Sequence, residues 1–273
     1  MPNTPVIVFV DIDTLPGPAL LPANGPGTLA TLAADRILLI LCSRRTRAEV
    51  ESRRQALGIF HPFICEDGGA AFVPERYFGN PIEGARMVCG YEAVEFAAPC
   101  DQVVETLRRV SDRLRIGVVG FHDMSVAQVA EECGLSLLDA RLAKLREYGE
   151  WVRLQRADPT AARRLLRGLE TAGLHHRPDS DFWRLSTGRG FGPPVAVLAR
   201  LYRMSLGRVT VVGIGDDEAT ADSLAPHVDA WLPAPILTDG STVRRTPGWL
   251  DGLHHHIDVV RDARLSLPGP HAR

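Results

Sequence analysis

Three short runs, apolar but for one threonine and each leading on to a polar or acidic residue, constrain this chain more than any other feature. Residues 6–10 lead into Asp11, residues 37–41 lead through Cys42 to Ser43, and residues 209–212 lead into Gly213-Ile214-Gly215-Asp216. Runs this short, rich in β-branched residues and apolar except at Thr210, fit strands covered on both faces, as in a parallel sheet flanked by helices. Helical patterns alternate with them. Over residues 46–57, Thr46 offers a cap, Glu49 follows three residues later as in a capping box, and Gly58 ends the run. Residues 63–65 read as a third strand, and Gly68-Gly69 turns the chain into residues 70–73. This alternation predicts a doubly wound, Rossmann-like α/β core with a parallel sheet.

The middle of the sequence has a different rhythm. Over residues 102–116, Val103, Leu107, Val110 and Leu114 share one face of an amphipathic helix. A strand-like stretch, 116–121, precedes two short helices over 125–133 and 136–145, the first opened by Ser125 and closed by Gly134. A strand at 151–154, a helix at 159–172 and a strand at 182–186 complete an α+β insertion, with His175 and His176 expected in a loop before Pro178. The core pattern then resumes. Pro193-Pro194 opens a helix that buries Val195, Leu198 and Leu201 or Tyr202. Trp231 and Leu232 end a further strand, and residues 248–260 read as a last helix. The expected division is therefore core over 1–84, inserted cap over 85–188 and core again over 189–273.

Composition narrows the function classes. The 273 residues carry 31 Lys plus Arg against 33 Asp plus Glu, so charge gives no reason to expect nucleic acid or an anionic membrane as partner. Five cysteines at scattered spacings, none in a CxxC pair, suggest neither a zinc site nor a disulfide framework. A reduced, cytoplasmic setting fits, since no signal-peptide pattern or membrane-length apolar run is present. His254-His255-His256 would point in different directions on a helix, so a solvated face explains them better than a metal site. Oligomeric state is not readable from the residues.

The chemistry-bearing residues follow the apolar runs, where an open α/β sheet places its ligands. Asp11 and Asp13 are two carboxylates at a strand mouth: one can attack phosphorus, the other can protonate a leaving oxygen and activate water. Ser43, with Arg44 and Arg45 at the next strand-to-helix junction, offers a hydroxyl, backbone N–H groups and guanidinium groups to a phosphoryl group. Asp216 and Asp217, after a small-residue turn, can present carboxylates to a hard cation such as Mg²⁺. Each motif alone also reads as an ordinary turn or helix cap; their order along one chain is the stronger signal.

With these residues in place, the sequence resembles the haloacid-dehalogenase superfamily, and within it the mannosyl-3-phosphoglycerate phosphatase group with a C2-type cap. Asp11 and Asp13 match the Asp-x-Asp motif; Ser43 and Arg45-Thr46-Arg47-Ala48-Glu49 match the second motif. The segment from Pro62 through Glu66-Asp67-Gly68 to Pro74 is similar to the group's Pro-Phe-Ile-x-Glu-Asn-Gly-Ala. The cap match is the most specific: Asp123-Met124-Ser125, and Arg146-Glu147-Tyr148-Gly149-Glu150. The resemblance implies that Asp11 is the nucleophile and Asp13 the general acid and base. It implies Mg²⁺ held by Asp11, the Asp13 carbonyl and Asp216, with Asp217 as a further candidate ligand. It also implies that Asp123, Met124, Ser125, Arg146, Glu147 and Tyr148 meet a phosphorylated small-molecule substrate. The chain departs from the pattern where the group has Asp-Lys-Gly, reading Phe191-Gly192-Pro193-Pro194 instead, so Arg189 is the nearby candidate for the phosphate-binding cation. The Asn-Asp pair expected late in the metal motif is replaced by Ala219-Thr220. Two function classes fit: a Mg²⁺-dependent phosphatase, and a non-catalytic relative that binds a phosphorylated ligand.

Overall fold

The computed structural model describes residues 4–14, 29–156, 158–215, 218–233 and 257. From the N-terminal side the elements are β1 (Val6–Asp11), α1 (Leu29–Ala34), β2 (Ile37–Cys42), α2 (Arg47–Leu57), β3 (Phe63–Cys65), β4 (Ala70–Pro74), β5 (Arg86–Val88) and β6 (Tyr91–Glu95). There follow α3 (Cys100–Leu114), β7 (Val118–Gly120), α4 (Val126–Cys133), α5 (Leu137–Ala143), β8 (Gly149–Leu154), α6 (Pro159–Thr171), β9 (His175–Asp179) and β10 (Phe182–Ser186). Last come α7 (Gly192–Leu206), β11 (Thr210–Gly215), α8 (Glu218–Leu224) and β12 (Ala230–Pro233). The expected helix over 248–260 lies outside the described residues, apart from Ile257, as do the three histidines at 254–256. The described residues pack as two compact units, Met1–Leu41, Ala56–His61 and Val195–Arg273 in one, and Cys42–Gln55 with Pro62–Pro194 in the other.

In the first unit the strand order is β12-β11-β1-β2, with β11 parallel to both β1 and β12. Every residue from Val6 to Val10 is fully buried, as an apolar run without alternation requires. α7 buries Val195, Leu198 and Tyr202, the expected face. β11 differs from expectation: it starts one residue later than 209 and continues through Gly213-Ile214-Gly215 instead of turning there. The reason is packing, since a Cβ on Gly213 would lie 2.7 Å from the Trp231 ring on β12. Gly213 is small to admit an indole.

The second unit contains a four-strand antiparallel stretch, β3-β4-β6-β5, and a separate antiparallel sheet in the order β7-β8-β10-β9. Phe63 and Phe72 stack with ring centroids 5.4 Å apart, and Tyr91 meets both edge-on. In the separate sheet, α3 and α6 bury Val103, Leu107, Val110, Leu165 and Leu169 with Val152, Leu154 and Leu185. A second cluster joins Phe121, Met124, Val129, Ala140 and Phe182. Ser125 caps α4 with a complete capping box to Gln128, and Gly134 closes it in the left-handed region. His175 and His176 are not in a loop: they open β9, paired antiparallel with β10. β9 borders the sheet, where backbone pairing suffices and Pro178 is tolerated, so no apolar alternation marks it. The fold is thus a doubly wound α/β core with an inserted α+β cap.

The turn after β3 is the tightest point. Gly68 has φ +85, and a Cβ there would stand 2.2 Å from the Gly190 carbonyl oxygen. Gly58 has φ +67 but nothing within 4 Å. Urea unfolding should therefore show Gly58→Ala losing about 1 kcal/mol, and Gly68→Ala losing at least about 3 kcal/mol from strain plus overpacking.

Candidate active site

The first unit supplies the carboxylates. β1 ends on Asp11, which is 1% exposed, and a single 3-10 turn over Ile12–Thr14 carries the chain out of extended geometry. That turn brings the Asp13 N–H to 2.9 Å from Asp11 Oδ1, so the two acids predicted from spacing do come together, with Asp13 only half buried. A buried carboxylate is retained only with compensating hydrogen bonds or cations, and the Asp13 N–H is one such partner. Val10 lies opposite Ile214 in the parallel register, so β11 ends level with Asp11 at Gly215. Asp216 is the next residue in the chain. Asp216 and Asp217 themselves lie outside the described residues. Among the described residues no cluster of three or more His, Cys, Asp or Glu side chains forms a metal site. The donors in question are carboxylate and carbonyl oxygens, a set that suits Mg²⁺.

In the second unit, Ser43 follows directly on the end of β2 and is fully buried. Its Oγ accepts the Arg45 N–H at 3.0 Å, and its own N–H donates to the Ile64 carbonyl at 3.0 Å. The expected capping box at α2 is present: Glu49 Oε2 accepts the Thr46 N–H at 2.9 Å and Thr46 Oγ1 accepts the Glu49 N–H at 3.3 Å. Thr46 Oγ1 also donates to the Leu142 carbonyl at 2.9 Å. Arg45 pairs with Glu49 at 3.3 Å on the partly exposed side of this helix. Arg44 is half buried, and its carbonyl accepts from Arg146 Nη2 at 3.3 Å.

The six cap residues divide into two groups. Arg146, Glu147 and Tyr148 gather around Glu66, whose side chain is fully buried. Glu66 accepts the N–H of Glu147 at 2.7 Å and of Tyr148 at 3.1 Å, and Arg146 Nη2 stands 3.4 Å away. Glu147 receives the fork of Arg47 at 3.0 and 3.3 Å, and the buried Tyr148 donates its hydroxyl to Glu95 at 2.7 Å. Asp123, Met124 and Ser125 instead shape the turn after β7. Asp123 accepts the Gly120 N–H and pairs with Arg108 at 3.1 Å; Ser125 is spent as a helix cap. Met124 packs its side chain, 4% exposed, inside the cap cluster, so it has no face to offer a ligand. Lys144, the one lysine in the sequence, donates to the carbonyls of Phe121 and Met124. Arg189 is exposed and has no partner among the described residues.

Sequence reasoning missed the Glu66-Asp67 pair as site residues. Both adopt left-handed φ, +49 and +55, which turns their carboxylates inward. Asp67 pairs with Arg184, which also reaches Asp179 at 3.3 Å. An acidic pair directly before Gly-Gly is the available signal, because consecutive left-handed residues need a glycine-rich turn. Burial pushes the Glu66 carboxyl up, opposed by Arg146 and the two backbone N–H groups. Glu150, also buried, is pushed up by the same cause, opposed chiefly by Arg146.

No family model matches the chain. It is 31% identical over 208 residues to a glucosyl-3-phosphoglycerate/mannosyl-3-phosphoglycerate phosphatase of Methanococcoides burtonii, covering 76% of this chain and 74% of that protein. The chain belongs to this phosphatase family. A relative of the same description from Persephonella marina is 27% identical over 212 residues, covering 74% of this chain and 77% of that one. Solved structures agree on the fold. A phosphatase of the haloalkanoate (HAD) superfamily from Bacteroides thetaiotaomicron superposes with a TM-score of 0.57 at 12% identity, over 92% of this chain and 95% of that one. A Thermoplasma acidophilum protein gives 0.52 at 16% identity, over 94% of this chain and 99% of that one. The family is one of phosphoric monoester hydrolases, and its superfamily's core-plus-cap architecture is the one found here. No helix among the described residues is long and apolar enough to cross a membrane.

The buried acid makes a pH prediction. A carboxyl whose folded pKa is raised contributes stability that is complete below its unfolded value, near 4.5, and lost as pH rises through the folded value. Glu150→Gln removes that loss. Its melting temperature should gain on wild type as pH rises above about 4.5, and parallel pH curves for the two proteins would contradict the burial argument.

Proposed function

We propose that this protein is a Mg²⁺-dependent phosphatase that acts on a glycosyl phosphoglycerate or a related sugar phosphate through an aspartyl-phosphate. The observation that carries the reading is Asp11: a buried carboxylate ending a parallel strand, oriented by the Asp13 N–H. In this mechanism one Asp11 oxygen attacks phosphorus in line, the phosphorus–oxygen bond to the leaving group breaks, and Asp13 protonates the departing oxygen. Asp13 then takes a proton from water, which attacks the aspartyl-phosphate and releases inorganic phosphate. Asp11, the carbonyl of Asp13 and Asp216 would hold Mg²⁺, with Asp217 as a further ligand; when bound, it neutralises charge on the transferring group. Ser43 and the loop through Arg44 and Arg45 bind the phosphoryl oxygens. The inserted cap, residues 85–188, selects the substrate and excludes water. The setting is the cytoplasm and the partner a small phosphorylated molecule.

The missing lysine is met by Arg189, which precedes α7 and has no partner among the described residues. A second reading, a non-catalytic ligand-binding relative, draws on one observation: Lys144, the single lysine, is tied to cap carbonyls.

The deciding assay offers mannosyl-3-phosphoglycerate, glucosyl-3-phosphoglycerate and simple sugar phosphates with Mg²⁺. Wild type should release phosphate and lose it to a chelator, with Asp11→Asn slower by about 10⁴-fold or more. Phosphate release equal in wild type and Asp11→Asn would sink the mechanism. Arg189→Met should cost about 10²–10³-fold in kcat, the scale of one lost electrostatic donor.

A further inference from the structure

Resting on the reading of Ser43–Arg45 as the phosphate loop, we propose that Arg146 is a positioning residue for that loop and not a contact for the sugar or glycerate. Three successive carbonyls of the loop are held by donors from elsewhere in the second unit. The Ser43 carbonyl accepts the Asp67 N–H at 3.2 Å, the Arg44 carbonyl accepts Arg146 Nη2 at 3.3 Å, and the Arg45 carbonyl accepts the Glu66 N–H at 3.0 Å. Of these three donors, only Arg146 is a side chain. The peptide joining Arg44 to Arg45 is held on both sides, its carbonyl by Arg146 and its N–H by Ser43 Oγ at 3.0 Å, so the pinned carbonyl also fixes the Ser43 hydroxyl that serves the phosphoryl group. Releasing the Arg44 carbonyl lets that peptide rotate, which frees Ser43 Oγ from the Arg45 N–H and turns a carbonyl dipole toward a bound anion.

The surroundings of Arg146 suit a fixed prop. Its side chain is 5% exposed, and its guanidinium lies 5.5 Å from the centre of the Trp151 ring. Its counter-ion, Glu66, is itself immobilised by two backbone N–H groups, so the guanidinium cannot swing without unpairing a buried carboxylate. A single nitrogen, Nη2, serves the carboxylate and the carbonyl together, its hydrogens fixed in the guanidinium plane, where an ammonium on a flexible stem would favour the carboxylate.

The test separates phosphate from the rest of the substrate. Binding of inorganic phosphate to the full chain with Mg²⁺ is measured by calorimetry for wild type, Arg146→Lys and Glu66→Gln, and kcat and KM are measured with p-nitrophenyl phosphate and with mannosyl-3-phosphoglycerate. A positioning role predicts that Arg146→Lys weakens inorganic phosphate by about tenfold or more, with kcat reduced for both substrates alike. Glu66→Gln, isosteric and lacking the charge, should weaken phosphate in the same direction and covers the case in which Arg146→Lys does not fold. Unchanged phosphate affinity in a folded variant, with KM raised for mannosyl-3-phosphoglycerate alone, would overturn the proposal and make Arg146 a substrate contact. A wild type that hydrolyses phosphomonoesters while its variants bind phosphate normally defeats this inference only. A wild type that neither binds phosphate nor releases it defeats the phosphatase reading as well.

Discussion

A single buried carboxylate organises the second unit. Glu66 has no exposed surface, yet it holds two backbone N–H groups at the entry to β8 and faces a buried guanidinium. Such a group is costly to bury and is kept only where its oxygens are filled. Here the filling is done by the chain segment that carries Arg146, Glu147 and Tyr148, so the position of one acid fixes the path of another stretch of backbone. Arg47 on Glu147 and Arg184 on Asp67 add ion pairs on either side. The result is a polar seam in which nearly every charge has a named counterpart.

How much of this was legible in the sequence depends on what each residue's signal reports. β1 and β2 were readable because residues buried on both faces must all be apolar. α2, α3 and α4 were readable because Thr46, Ser125 and Gly134 are local signals and the face Val103-Leu107-Val110 repeats at helical spacing. β5, β6 and β9 were not. Their residues, Arg-Met-Val, Tyr-Glu-Ala-Val-Glu and His-His-Arg-Pro-Asp, alternate poorly or are polar, and pairing with a neighbour, not composition, makes them strands. Context of that kind is long-range and leaves little trace in a window of ten residues.

The site divides along the same line. Asp11 and Asp13 were readable from their spacing beyond an apolar run, and a hydrogen bond between neighbours in sequence joins them. The cap motif residues were recognised by resemblance, but their partners, Glu66, Arg47 and Glu95, lie 81, 100 and 53 residues away, and no local pattern pairs them. Arginine dominates the chain's basic residues, and the geometry uses its fork repeatedly: Arg47 on Glu147, Arg86 on Glu95 and Arg184 between two aspartates. Lysine's only example here closes a turn.

The hydroxyl of Thr46 carries a consequence for the order of events during folding. It belongs to the helix cap of α2 and also to a bond with the carbonyl of Leu142, 96 residues later. Closing a loop of that length is slow relative to forming a helical turn. The start of α2 can therefore form early as local structure, yet its last donor waits for the insertion to fold and return. Residues placed within this insertion help complete a loop that sequence order would assign wholly to the earlier part of the chain.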